Sequence, residues 1–151
     1  MTDTLGEIKS DLNNALKSKD SFKAGTLRFV LAAVHNAEIA KGKGAELSEE
    51  ELIEILQKQA KQRRESIEAY QKGDRSDLAE KEEKELGIIK AYLPQQLSED
   101  EVREIVEGAI QEAGASGPQE MGRVMSLVMP KVKGRADGSL VSRLVKEKLS
   151  A

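Results

Sequence analysis

Metal centres and hydrolytic sites are assembled mostly from histidine, cysteine and paired carboxylates. This chain holds one histidine, His35, and no cysteine. That inventory excludes a thiolate zinc site, an iron–sulfur cluster, a disulfide framework, a cysteine nucleophile and any centre built from several imidazoles. His35 lies one turn after Leu31 on the flank of an apolar stripe, where a structural or surface role is expected. No serine falls in the spacing of a nucleophile elbow. Gly42-Lys43-Gly44 lacks the spacing and the Lys-Ser/Thr ending of a phosphate loop. Glu80, Glu82, Glu83 and Glu85 are interleaved with Lys81 and Lys84, and i,i+4 pairing along a helix accounts for them without acid–base chemistry. The residues predict no catalytic site, no metal and no cofactor.

Charge offers a different chemistry. Residues 121–151 carry seven basic and two acidic groups, a balance of +5, whereas residues 97–120 carry one basic against seven acidic, a balance of −6. A basic end on a chain of net charge −3 points to a polyanionic partner. The candidate nucleic-acid contacts are Arg123, Lys131, Lys133, Arg135, Arg143 and Lys146. The connection from Lys131 to Ser139 brings Lys131, Lys133 and Arg135 to the start of a helix capped by Asp137. A helix start offers unpaired N–H groups and the positive end of a dipole. Phosphate docks on such a site without base readout. The acidic segment before it is expected to face away from the nucleic acid. Two Phe, two Tyr and no Trp are too few for a base-stacking platform.

A third constellation is internal. Leu56, Ala60, Arg63, Ile67 and Tyr70 follow one another at +4, +3, +4 and +3, so Arg63 occupies a place in an apolar seam. Leu78, Glu82, Leu86, Ile89 and Leu93 form a similar stripe that Glu82 interrupts. Opposite charges out of place on facing stripes are costly unless paired. The reading is an inward Arg63–Glu82 ion pair, with Glu85 as the alternative acceptor.

These groups are positioned by helices. Helix formers dominate, three prolines are present, and no segment alternates at period two, so the expected fold class is all-α with no sheet. Apolar stripes run through Leu5–Leu16 and Leu27–Val34. Asp20 is a helix N-cap, and Ser48 with Glu51 makes a capping box opening a long helix to Lys72. The Gly73-Asp74 turn leads to a fourth helix from Ser76 to about Tyr92. Pro94 breaks the pattern, and Ser98 with Glu101 repeats the capping box. Gly114 stops the fifth helix, Pro118 opens a sixth closed by Pro130 and Gly134, and a seventh follows Asp137. The expected domains are a four-helix bundle over residues 1–93 and a three-helix bundle over residues 98–151. With 151 residues, 38% hydrophobic and 34% charged, the chain can bury a core. Phe29–Val34 is its longest apolar run, so no membrane segment is expected. Acidic residues precede any basic cluster at the N-terminus, and with the lack of cysteine this predicts a cytoplasmic protein.

Four ordered blocks carry a resemblance over essentially the whole chain. They are Gln62-Arg63-Arg64-Glu65-Ser66-Ile67-Glu68, Gly73-Asp74-Arg75-Ser76-Asp77-Leu78-Ala79, Glu82-Glu83-Lys84-Glu85-Leu86 and Tyr92-Leu93-Pro94. The tail Met121-Gly122-Arg123-Val124-Met125 and Pro130-Lys131-Val132-Lys133-Gly134-Arg135-Ala136-Asp137 follows in order. Together they resemble the GatB/YqeY family, in the length of its free-standing YqeY-like members. The resemblance implies a four-helix and a three-helix bundle. It implies a module that forms the tail of the B subunit of glutamine-dependent aminoacyl-tRNA amidotransferase, and of some glutaminyl-tRNA synthetases, where it contacts tRNA and catalyses nothing. The implied function is a noncatalytic tRNA-binding, amidotransferase-like accessory module, with tRNA and an amidotransferase or synthetase as partners. The alternatives are a helical protein–protein adaptor, or an accessory subunit of a carbon–nitrogen ligase with glutamine as amido donor, whose activity belongs to the complex.

Overall fold

A computed structural model describes residues 3–150. Seven α-helices and no strand occur among them, and 79% of the described residues are helical. In chain order they are α1 (Thr4–Lys17), α2 (Ser21–Lys41), α3 (Glu49–Lys72), α4 (Ser76–Lys90), α5 (Glu99–Ala113), α6 (Met121–Val132) and α7 (Gly138–Ser150). A 3-10 turn, Pro118–Glu120, leads directly into α6.

Local chemistry sets most boundaries. Asp3 Oδ1 accepts from Leu5 N–H at 3.1 Å and Asp20 Oδ1 from Lys23 N–H at 3.1 Å, filling donors that the first turns of α1 and α2 leave unpaired. At α3 the capping box closes both ways, with Glu51 N–H donating to Ser48 Oγ at 3.2 Å and Ser48 N–H to Glu51 Oε2 at 2.7 Å. At α5 the Ser98 hydroxyl accepts from Glu101 N–H at 3.1 Å. Gly114 ends α5 at φ +61°, the left-handed conformation that glycine adopts without a Cβ penalty.

In the Gly73-Asp74 turn between α3 and α4, Asp74 adopts the left-handed conformation, at φ +58°. Aspartate is among the few side-chain-bearing residues that tolerate this region. Pro130 does not close α6, which runs on to Val132 before Gly134 turns at φ +78°. So near the helix end, the missing N–H removes one bond from a ladder about to stop.

The chain divides into two compact units, one ending at Leu93 and the other starting at Pro94. The N-terminal unit packs α1–α4 around Ile8, Leu27, Val30, Val34, Leu52, Leu56, Ala60 and Ile89. The C-terminal unit packs α5–α7 around a valine-rich core of Val102, Val106, Val124, Val128, Val132, Val141 and Val145 with Leu144. Within this second unit the segment after Pro94 is tied down. Leu97 N–H donates to Arg135 O at 2.8 Å, and Gln96 Nε2 donates to Gly134 O at 2.9 Å.

Candidate functional site

The six basic candidates lie on α6, α7 and the connection between them, and the structure gives them unequal freedom. Arg123 Nη2 donates to the Ala113 carbonyl at the end of α5 and pairs with Glu120 at 3.1 Å. It thereby satisfies an orphan carbonyl as well as a charge. Lys131 Nζ lies 3.7 Å from Glu112 of α5. Lys133 is exposed at the end of α6. Arg135 is half-buried, and its Nε donates to the Gln95 carbonyl at 3.3 Å. Arg143 Nη2 reaches Glu99 Oε1 at 2.9 Å while its Nη1 reaches Glu147 Oε1 at 3.1 Å. Lys146 is exposed on α7.

The acidic α5 packs beside this segment. It is the partner helix, and its carboxylates are the counter-ions. Arg103 pairs with Glu99 at 3.1 Å and with Glu147 at 3.9 Å, so Glu99, Arg143, Glu147 and Arg103 close a ring of alternating charge between α5 and α7. Lys148 and Glu107 add a further link at 2.7 Å. Hydrogen bonds from Arg143 hold the Glu99 carboxyl below its ordinary range, and Lys148 does the same to Glu107. These groups are solvent-exposed, so each pair is weak and open to exchange with another anion.

The start of α7 is also partly filled. Asp137 Oδ1 accepts from Ser139 N–H at 3.1 Å and from Ser139 Oγ at 2.9 Å. The capping aspartate takes one of the donors that a phosphate was expected to use.

In the N-terminal unit Arg63 is buried, as its place in the seam requires, but the ion pair expected with Glu82 forms with Glu85. Arg63 Nε lies 3.5 Å from Glu85 Oε2. Its Nη1 donates to Gln59 Oε1 at 2.5 Å, one turn back on α3, and its Cζ sits 4.9 Å from the centre of the Phe29 ring. Glu85 lies nearly one turn beyond Glu82, and the level at which α4 crosses α3 decides between them. Phe29 and Gln59 were not foreseen as partners. The tie between Tyr92 and Asp11 also escaped the sequence reading: the Tyr92 hydroxyl donates to Asp11 Oδ2 at 2.5 Å, joining the end of α4 to α1.

Among the described residues no group of three or more His, Asp or Glu side chains could hold a metal ion. None of their helices is long and apolar enough to cross a membrane.

The sequence model of the family described as "Yqey-like protein" matches residues 5–149. The chain is 33% identical over 150 residues to "Altered inheritance of mitochondria protein 41, mitochondrial" of Pyrenophora tritici-repentis, covering 97% of this chain and 81% of the relative. It is 38% identical over 118 residues to the protein of the same name in Lachancea thermotolerans, covering 77% of this chain and 63% of that one. A Saccharomyces cerevisiae relative of that name is 40% identical over 89 residues, which are 58% of this chain and 47% of the relative. Against the last two the chain spans less than two thirds of the relative's length. All three carry mitochondrial names, and this overturns the expectation of a cytoplasmic protein.

Proposed function

The chain belongs to the YqeY-like family, and on that premise we propose that it is a noncatalytic helical accessory module whose C-terminal unit binds tRNA through the phosphate backbone. The observation that carries the reading is the exposure of the cation pairs on α6 and α7. Arg143 and Lys131 each keep about half of their side-chain surface, 52%, in solvent. A carboxylate held so loosely can be exchanged for phosphate at small cost, and each exchange releases counter-ions condensed on the RNA. The contacts proposed are Lys131, Lys133, Arg143 and Lys146, with Arg123 and Arg135 serving the fold as well. Any amide transfer belongs to an amidotransferase or synthetase bound alongside.

The test is tRNA affinity across a salt series, mitochondrial tRNA included. Four phosphate contacts on duplex regions give a log–log slope of about −3.6. Replacing Lys133 and Lys146 with Ala flattens it by at most about two units without loss of helicity. Salt-independent binding, or a mutant with the parental slope, moves the contact elsewhere. Absence of binding at low salt favours the second reading, a protein–protein adaptor. Its supporting observation is the extent to which α5 already neutralises the basic helices.

A further inference from the structure

Phe22, Gly25 and Phe29 follow one another at +3 and +4 along α2 and so share one face of that helix. Neither ring is withdrawn into the core, Phe22 being 36% exposed and Phe29 56%. A Cβ placed on Gly25 would meet nothing within 4 Å. Glycine weakens a helix interior relative to alanine, and here it leaves a notch between two exposed rings. The notch opens on a cleft of about 650 Å³ that Arg63 of α3 and Glu82 and Glu85 of α4 also line.

The polar side of the cleft is incompletely satisfied. Arg63 is 7% exposed, and its buried Nε has no hydrogen-bond partner, because Glu85 stands off at 3.5 Å. Glu82 accepts no hydrogen bond among the described residues. Burial, and then the charge of Glu85, push its carboxyl above the ordinary range, while Arg63 and the exposed Lys81 pull it back only through space. Arg63 covers one face of Phe29, which leaves the rest of the ring to solvent.

We propose that this cleft docks an arginine side chain of a protein partner, its methylenes in the Gly25 notch between Phe22 and Phe29 and its guanidinium on Glu82. Arginine fits each feature: the stem needs an apolar slot, the flat head stacks on a ring, and the fork matches a carboxylate. Arg63 and Lys81 also line the cleft, but Arg63 already has Glu85 beside it, so the carboxylate left to answer is that of Glu82, which an apolar plug would leave buried and unpaired. A cation on Glu82 also screens it from Glu85, which can then close on the unspent Nε–H of Arg63. The proposal concerns the N-terminal unit and stands apart from the tRNA reading.

The test is an NMR titration of the full chain with N-acetyl-arginine amide, with capped lysine and capped citrulline as comparisons. Saturable shifts of the Phe22 and Phe29 rings and of the Glu82 carboxyl are expected with arginine, weaker ones with lysine and none with neutral citrulline. Glu82→Gln keeps the shape and is expected to weaken arginine about tenfold. Gly25→Leu fills the notch and abolishes binding, with a thermal midpoint equal to or above the parent's as a check on folding. Equal response to citrulline, unchanged affinity in Glu82→Gln, parental binding in Gly25→Leu, or no saturable shift with arginine overturns the proposal. Binding of spermidine without binding of capped arginine also overturns it, assigning the cleft to free polyamines.

Discussion

Arg63 Nε and Glu85 Oε2 face each other at 3.5 Å with side-chain exposures of 8% and 18%, a charge pair set between α3 and α4 inside the N-terminal unit. Removing one member strands the other in a poorly hydrated place. Arg63→Met is therefore expected to destabilise by about 2–5 kcal/mol, and Arg63→Met with Glu85→Leu to recover much of that. Urea unfolding of the full cycle checks it. Additive losses would reject the coupling, and recovery with Glu82→Leu in place of Glu85→Leu would move the pair to Glu82.

Tyr92 donates to Asp11 across the same unit. Burial, then the hydrogen bond to Asp11, raise its phenol above the ordinary tyrosine range. A raised folded value means that the native state holds this proton more tightly than the unfolded chain does. The contribution is then fully present below about pH 10 and lost as pH rises above it. Tyr92→Phe is expected to cost about 1–2 kcal/mol at neutral pH. The gap between parent and variant should narrow at high pH, read from denaturant midpoints at both ends. A gap independent of pH would reject the linkage.

The charge ring joining α5 to α7 makes a titration prediction. Hydrogen bonds from Arg143 hold the Glu99 carboxyl low. Whatever stability this supplies is present above the unfolded carboxylate value and fades as pH falls. By carboxyl NMR, Glu99 is expected to titrate below the ordinary glutamate range. Arg143→Gln, or high salt, should return it toward that range. An ordinary Glu99 titration in the parent would show that the ring does not persist in solution.

Neutralising α5 should strengthen the proposed tRNA contact. Glu99→Gln, Glu107→Gln and Glu112→Gln together remove the carboxylates that meet Arg143, Lys148 and Lys131. Affinity at moderate salt should rise and the salt slope should steepen, because more cations become available for phosphate. Unchanged affinity would separate these lysines and arginines from the RNA.

The segment after Pro94 should owe its protection to Gln96. Its side-chain amide donates to Pro94 O at 2.7 Å and to Gly134 O at 2.9 Å. In limited proteolysis, Gln96→Ala is expected to cut between Gln95 and Leu97 sooner than the parent does. Equal rates would mean that the backbone bond from Leu97 to Arg135 suffices.

Helix identity and most helix ends were legible in the residues, because each is decided within a turn or two. Ser48 and Glu51 cap α3, Asp20 caps α2 and Gly114 ends α5 as their chemistry dictates. The burial of Arg63 was equally legible from its place in the seam. The cluster of basic residues could be counted along the chain, and so could the acidic run before it. Which of them meet could not. Glu82 and Glu85 both lie on the side of α4 turned toward α3, separated by nearly one helical turn, about 5 Å along the axis. Local sequence does not say which level of α4 crosses α3 at Arg63, nor that Phe29 of α2 arrives above it. The same holds for Glu99 and Arg143, 44 residues apart. Caps and periodicity are short-range, so the sequence alone determined them. Partner choice between helices depends on rotation and axial shift, set by the core that Ile89 of α4 shares with Leu56 and Ala60 of α3 in one unit and by the valine core in the other. Only the tertiary structure decided that, because a shift of a few ångströms replaces one charged partner with another.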